Sequence, residues 1–515
     1  MIKRLTQNEV ICHLQLPIFN IISKEADALN RECYVVGGYV RDLYLGTPSK
    51  DIDCVTIGSG IELAEKVAQH INNMGGRKSK RAHLSVFRNF GTAQVKYYDK
   101  EHGMIEVEFV GARKESYSHD SRKPVVEDGT LEDDQNRRDL TINDMAICLN
   151  HERFGELIDP YHGMEDLEAG LIRTPLDPDV TFSDDPLRMM RAIRFACRFG
   201  FKIVPETFEA IARNRERIKI ISGERIIDEL NKIMMCQQPS TGWMLLQKCG
   251  LLQIIFPELQ ALSGIETKEG RGHKDNFVHT ITVLDNVVRA QNQALAAAKK
   301  SSKEETGDTT EPTFDKVLYL RWAAIMHDLG KARAKAWDDK IGWTFHNHDY
   351  LGSRMVMGIF RRLKLPLGAE EKFVEKMVAL HMRPINLADE GITDSAIRRV
   401  LFEAGDDIDE LMTLCEADIT SKIAEKVRRF LDNFKVVRQK MAEIQAKDDY
   451  RNWTPPVDGN EIMQRYGLTP SKPVGLLREA QKDAILDGLC ANTREAALAF
   501  LDQKAAEMGL KPIVN

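Results

Sequence analysis

The chain has 515 residues, 43% of them hydrophobic and 29% charged, with a net charge of −6. That length exceeds one core and predicts three or four domains of ordinary globular composition, and no run is long and apolar enough to predict a membrane span. Residues 1–20 hold no apolar signal-peptide core, and the nine cysteines form no Cys-x-x-Cys pair, which excludes a zinc ribbon or disulfide framework and predicts a reducing, cytoplasmic setting.

In chain order, the first ~170 residues read as mixed α/β by periodicity and turn signals. Tyr34 to Val36 is a short apolar run, followed by Gly37-Gly38 and a helix-like stretch to Leu45. Residues 51–57 and 104–110 alternate as strands do. Residues 113–136 are polar, charged and without period, which predicts a long mobile loop. From Asp185 the pattern turns helical, and residues 224–235 place Ile226, Leu230, Ile233 and Met234 on one face. Residues 296–312 predict a disordered insertion between two helices. Trp453-Thr-Pro-Pro-Val-Asp-Gly punctuates the chain before a small helical C-terminal unit.

The acidic total conceals a basic segment: between Leu187 and Lys232, basic residues outnumber acidic ones eleven to six. Phosphate binding follows local fields rather than totals. On a helix, Arg188, Arg191, Arg194 and Arg198 fall within about 120° of one another, and Met189, Ile193 and Ala196 face away toward a core. A stripe of this kind, with no acids matched to it nearby in sequence, calls for nucleotide or RNA phosphate as its counter-charge.

Gly37-Gly38-Tyr39-Val40-Arg41-Asp42 is followed by Asp51-Ile52-Asp53. The glycines admit a phosphate close to the backbone, and the helix start behind them aims N–H groups at it. On a strand Asp51 and Asp53 project to one side. Two convergent carboxylates repel unless cations neutralise them; a magnesium pair would do so while activating a 3′-hydroxyl and holding leaving phosphates. Glu108, on the strand at 104–110, is a candidate third carboxylate, with Glu106 on the same face as its rival.

These residues resemble the class II CCA-adding tRNA nucleotidyltransferase and bacterial poly(A) polymerase family, within the DNA polymerase β superfamily. The resemblance spans about residues 34–235. It continues through Arg137-Arg138-Asp139-Leu140-Thr141-Ile142-Asn143, Asp159-x-x-x-Gly163-x-x-Asp166-Leu167, Asp184-Asp185-Pro186-Leu187-Arg188 and Glu224-Arg225-Ile226-x-x-Glu229-Leu230. It implies an α+β chain: a polymerase-β-like head with a mixed sheet (1–170), a helical neck (171–265), an HD domain (266–440) and a helical tRNA-contacting unit (450–515). It also implies that Gly38, Arg41, Arg138, Asp139, Asp185, Arg188, Arg191 and Arg194 bind the nucleotide. Arg138 offers a guanidinium fork to the triphosphate, and Asp139 stands near the ribose. Asp185 and Arg188 would read the incoming base by hydrogen bonds, since a carboxylate accepts from the exocyclic amine of C or A. Asp184 stands where the family has Glu, which leaves its own role open. Glu224-Arg225-Ile226 is expected to brace this helix.

Farther on, His279, His327-Asp328 and Asp418 follow in the order of the HD phosphohydrolase superfamily, which this stretch resembles. Imidazole with carboxylate suits a divalent transition metal, and Mg²⁺ less well. The resemblance adds His348 and His381 as further ligands; His346 is an alternative to His348.

The expected activity is addition of C and A to the 3′ end of tRNA from CTP and ATP, with a second, phosphohydrolase activity in the HD domain. Poly(A) polymerase shares head and neck; its members often carry a basic-aromatic signature, and residues 76–81 have the charge without the aromatic partner. CC-only or A-only addition is a further alternative. The loop at 113–136, which in the family helps switch from C to A, is not shortened. A phosphohydrolase with a degenerate head is disfavoured by Asp51 and Asp53, and a non-catalytic RNA binder would leave two metal constellations without a use.

Overall fold

A computed structural model of the chain describes residues 4–47, 49, 51–74, 82–118, 121–301, 314–390, 393–421, 423–447, 450 and 453–513. It forms two compact units, Met1–Phe256 and Pro257–Asn515. The basic stretch at 76–81 and most of the expected insertion, 302–312, lie outside the described residues.

The first unit opens with helices α1 (Gln7–His13) and α2 (Pro17–Ala28), then strand β1 (Cys33–Val36), helix α3 (Gly38–Tyr44), strand β2 (Asp51–Thr56) and helix α4 (Gly60–Met74). A capping box starts α1: the Thr6 hydroxyl accepts from the Glu9 amide, and the Glu9 carboxylate accepts from the Thr6 amide at 2.8 Å. Strands β3 (His83–Phe87), β4 (Thr92–Asp99) and β5 (Gly103–Gly111) follow. After them come β6 (Arg113–Ser118), β7 (Ser121–Asp128), α5 (Leu131–Asn136), β8 (Ala146–Cys148) and β9 (Leu157–Ile158). The main sheet has the order β3-β4-β5-β2-β1-β8-β9 and is mixed, with β2 and β5 parallel and the other neighbours antiparallel.

Alternation along the strands divides the sheet into two faces. Ile52, Cys54, Ala93, Val95, Val107 and Phe109 are buried, and α4 lies against these strands with Leu63, Ala64, Val67 and Ile71 buried. Asp51 and Asp53 occupy the opposite face and reach solvent.

Apart from 119–120, which lie outside the described residues, 113–136 are largely strand and helix and not a loop. The strands β6 and β7 pair antiparallel from Arg113↔Asp128 onward, and α5 follows, with Thr130 and Asp133 closing a second capping box. The ladder is carried by backbone hydrogen bonds in a segment that is polar at almost every position, so no hydrophobic period marks it. The expected insertion is also corrected at its start. The helix Asn276–Ser301 runs through Ala296-Ala297-Ala298-Lys299-Lys300, which are strong helix formers.

Helices then dominate the first unit: α6 (Gly163–Ala169), α7 (Pro178–Asp184), α8 (Leu187–Phe199), α9 (Pro205–Asn214) and α10 (Gly223–Met234). Met189, Ile193 and Ala196 of α8 are fully buried, as the arginine periodicity requires. In α10, Ile227 rather than Ile226 joins Leu230, Ile233 and Met234 in the core.

Among the described residues the second unit is helical, with two short hairpins added. One of these pairs Trp337 with Trp343 across its strands, ring centroids 5.2 Å apart. The helix Asn276–Ser301 packs on Lys316–Met326 and on Ile408–Asp418, and His348–Leu363 packs on Ala369–Leu380. Gly330 marks the tightest approach: a Cβ there would stand 1.9 Å from the His348 carbonyl oxygen. At the C-terminal end, three helices from Gly459 to Glu507 share a core of Val457, Ile462, Tyr466, Leu477 and Leu501.

Candidate active site and metal centre

The parallel register of β2 and β5 sets Asp51 beside Glu106 and Asp53 beside Glu108. Four carboxylates thus share one face, and a local difference separates the two glutamates. Glu106 is engaged by Lys96 at 2.8 Å and by the Gln94 amide, whereas Glu108 stands next to Asp53 and its carboxyl is raised. Partial burial on the strand is the main cause, and the charges of Asp53 and Glu106 add to it. Asp53 is raised by burial too, with Asp51 adding and Arg138 opposing. This acidic surplus fits a divalent cation, and Glu108, whose carboxyl the charge of Arg113 only partly relieves, is better placed to receive it than Glu106, which Lys96 already holds. The carboxylates are aligned rather than gathered. Among the described residues, the sets of ligand atoms lying within 4.8 Å of one another are both in the second unit.

A cleft of about 640 Å³ opens beside Asp51 and Asp53, walled by Gly37, Gly38 and Arg41 from the β1–α3 turn, by Arg138 and Asp139, and by Asp185, Arg188, Arg191, Arg194 and Arg198 around α8. Gly37 has φ +72°, and a Cβ would sit 3.1 Å from Arg138 Nη1 and 4.0 Å from Asp53 Oδ2. A side chain at Gly37 would be strained and would crowd the carboxylate.

Every arginine of the cleft is held in place. Arg41 is buried; its Nε donates to Asp42 Oδ1 at 2.8 Å, and its guanidinium lies 4.9 Å from the ring centroids of both Phe195 and Phe199. Arg137 and Arg138 both bind the fully buried Asp134, Arg138 at 2.8 Å. Arg188 donates to the backbone carbonyls of Thr181 and Arg137, at 3.3 and 2.6 Å. Arg191 pairs with Asp139 at 2.5 Å, and Arg194 with Glu229 at 2.5 Å. Burial pushes Asp139 up, but Arg191 and Asn143 hold it down at about 2. The α8 stripe is therefore matched by acids after all, supplied by residues 42, 139 and 229, which are remote from it in sequence. Asp185 accepts from the Leu187 amide at 3.1 Å and from Arg225 at 3.0 Å, so Arg225 braces it as expected.

Sequence reasoning missed Asp134 and the contact of Arg41 with the stacked rings of Phe195 and Phe199. The i, i+4 spacing of Phe195 and Phe199 on the arginine side of α8 was the available signal.

In the second unit His279, His327, Asp328, His348, His381 and Asp418 converge. His279, His327 and Asp418 form one potential ligand set and Asp328, His348 and His381 another. His279 Nε2 lies 2.9 Å from Asp418 and 3.4 Å from Asp328; His327 Nε2 lies 3.3 Å from Asp328. His348 and His381 Nε2 are 3.2 Å apart, at 3.4 and 3.9 Å from Asp328 Oδ1. His327, His348 and His381 each donate Nδ1–H to the carbonyl three residues earlier, at 2.7, 2.8 and 2.7 Å, and His279 Nδ1 meets Thr420 Oγ1 at 2.7 Å. Anchoring Nδ1 turns each Nε2 into the centre, the arrangement that metal-binding imidazoles require. Burial lowers His327, but Asp328 and Asp418 overcome it and raise the group to about 10. Buried His327 Nε2 and Asp328 Oδ1 lack hydrogen-bond partners, and a divalent ion fits both. His346 is exposed and stands apart, while His348 is buried within the set.

Residues 33–173 match the family described as Poly A polymerase head domain, 200–262 the probable RNA- and SrmB-binding site of polymerase A, and 277–423 the HD domain. The chain is 31% identical to the Multifunctional CCA protein of Pseudomonas fluorescens, over 66% of this chain and 72% of that one. It is also 31% identical to the A-adding tRNA nucleotidyltransferase of Deinococcus radiodurans, over 73% and 80%. The Thermotoga maritima CCA-adding enzyme, solved in complex with tRNA, shares the fold with a TM-score of 0.57 at 21% identity, covering 97% of this chain and 99% of that one. No helix of the described residues is long and apolar enough to cross a membrane.

Proposed function

The chain belongs to the tRNA nucleotidyltransferase and poly(A) polymerase family, and from that premise we propose that it adds C and A to the 3′ end of tRNA, taking them from CTP and ATP without a nucleic-acid template. One observation carries the reading: Asp185 and Arg188, at the start of α8, face the same cleft as Asp51 and Asp53. A base held by the first pair would set its triphosphate near the second. Gly38 and Arg138 cradle the phosphates, Arg41 and Arg194 set the charge of the wall, and Asp139 with Arg191 meets the ribose side. Asp185 accepts from an exocyclic amine, which C and A possess and U lacks, and Arg188 donates to ring acceptors. Rigid fixation by Arg225 and by two backbone carbonyls lets protein groups replace a template base.

The family is metal-dependent. In the head, Asp51, Asp53 and Glu108 would hold magnesium, which when bound neutralises charge on the attacking and leaving oxygens. The head, the neck that follows it, the HD segment and the helical unit from Gly459 onward divide the work in this reading, with the last contacting tRNA. A cytoplasmic site of action belongs to the same proposal, supported by nine cysteines scattered without a Cys-x-x-Cys pair or regular spacing.

A second activity is favoured by the paired ligand sets: phosphoester hydrolysis in the HD segment. His279, His327, Asp328, His348, His381 and Asp418 would hold a divalent transition metal or magnesium, whose chemistry there is activation of water. Lys331 contacts Asp328 at 2.6 Å and keeps that carboxylate turned into the centre.

The test incubates tRNA lacking CCA, tRNA ending in C, tRNA ending in CC, and an oligo(A) primer with each nucleotide separately. CTP should extend the first two and ATP only the third. Extension of oligo(A) would instead favour a poly(A) polymerase, and failure of the first two would favour an A-adding specialist.

A further inference from the structure

We propose that the open face of the sheet beyond the carboxylates is the track of the RNA primer, and that Tyr98 stacks on the base next behind its 3′ end. This rests on the nucleotidyl-transfer reading and extends it to the second reactant.

The register lays out the face strand by strand. Asp51 and Asp53 of β2 stand beside Glu106 and Glu108 of β5; next come Gln94, Lys96 and Tyr98 of β4, then His83, Ser85 and Phe87 of β3. Tyr98 is the register partner of Met104, so these two share the face as a pair. Helix α4 covers the reverse side, which is apolar and closed. The carboxylate side should be polar throughout, yet it carries Tyr98 at 61% exposure, Met104 at 63% and Phe87 at 46%. Tyr98 and Met104, paired across the strands, make one exposed apolar spot beside the reaction centre, while Phe87 stands about 20 Å from Tyr98 by strand rise.

The position of the nucleotide cleft decides which partner. That cleft lies on the β1 and α3 side of β2 and is lined by Asp51 and Asp53 but not by Glu108. In-line transfer needs the attacking hydroxyl on the other side of the transferred phosphate, which is the β5 and β4 side. Tyr98 lies two strands from Asp51 and two residues along, about 12 Å by strand spacing and rise. A ring standing singly beside Lys96 suits one base on a wet sheet, and it does not make the continuous apolar centre of a protein interface. Met104 widens the platform under the ring.

The test uses the full-length protein and a tRNA primer with a fluorescent adenine analogue next behind its 3′ end. Binding should quench the analogue. Tyr98→Ala should lose the quench and raise KM for tRNA about tenfold, the order of one base–aromatic stack, while leaving KM for the nucleotide unchanged. Tyr98→Phe should keep both properties, because the ring and not the hydroxyl does the stacking. An unchanged quench and tRNA KM in Tyr98→Ala, or an equal loss in nucleotide KM, overturns the inference. Failure of the underlying activity reads differently, since the wild-type protein would then extend no primer.

Discussion

Asp53 and Glu108 stand opposite one another as register partners on parallel strands, and the Asp53 charge adds to burial in raising the Glu108 carboxyl. An arrangement that costs free energy in the isolated protein is retained where a cation relieves it. Replacing Asp51 and Asp53 together by Ala should lower nucleotide addition by on the order of 10³-fold or more. Binding of tRNA, read by gel shift, should stay near the wild-type level. Loss of binding without loss of addition would contradict the assigned roles.

Arg225 reaches Asp185 from α10, and its role is separable from the chemistry. Asp185→Ala and Arg188→Ala should relax the choice among CTP, ATP, UTP and GTP in competition assays. Arg225→Ala should relax it less, since Asp185 keeps its bond to the Leu187 amide. The loss expected from Arg225→Ala is about tenfold in discrimination, in line with one charged hydrogen bond. Unchanged selectivity in all three variants would remove the base-reading assignment.

The parts of the site that were legible in sequence are those built from neighbours along the chain. Asp51 and Asp53 alternate on one strand, Gly37 begins a helix, and the apolar side of α8 follows from its period. What could not be read is pairing between distant segments. No local pattern tells that Glu229 will neutralise Arg194, or that Glu106 will be occupied by Lys96 and so yield to Glu108, whereas Asp134 holds Arg137 and Arg138 at the i+3 and i+4 spacing that a helix offers locally. Strands β6 and β7 escaped for a related reason: their ladder is backbone to backbone, and their sequence shows no apolar alternation of period two. The HD ligands were readable in order, yet their Nδ1 anchors, the carbonyls of Ala324, Phe345 and Val378, are visible only once the chain is folded.

Asp144 is buried with neither carboxylate oxygen hydrogen-bonded. Burial raises it from an ordinary 3.8 to about 8; Arg138 opposes the rise, and Asp134, Asp159 and Asp139 add to it. The unfolded carboxyl gives up its proton near its ordinary value, so between roughly pH 4 and pH 8 the folded state holds the extra proton and stability falls as pH rises. Asp144→Asn should flatten this slope. Thermal unfolding should show the variant a few degrees above the wild type near pH 8, with the two converging toward pH 4. Parallel melting curves across that range would show that Asp144 ionises freely.

His327 has its imidazole fully buried between Asp328 and Asp418. His327→Ala should lower the metal content of the purified protein, measured by elemental analysis, and abolish metal-dependent phosphoester hydrolysis. Nucleotide addition should be unchanged within about twofold, because the ligand sets and the head carboxylates lie in different compact units. Coupled loss of both activities would show that the two sites are not independent.

The most direct measurement of the central claim is the intact mass of tRNA lacking its CCA end after incubation with the protein, magnesium, CTP and ATP. The expected product is heavier by two C and one A and grows no further, with CTP alone giving two C and UTP or GTP giving nothing. A ladder of A additions, or incorporation of all four nucleotides alike, would contradict the account.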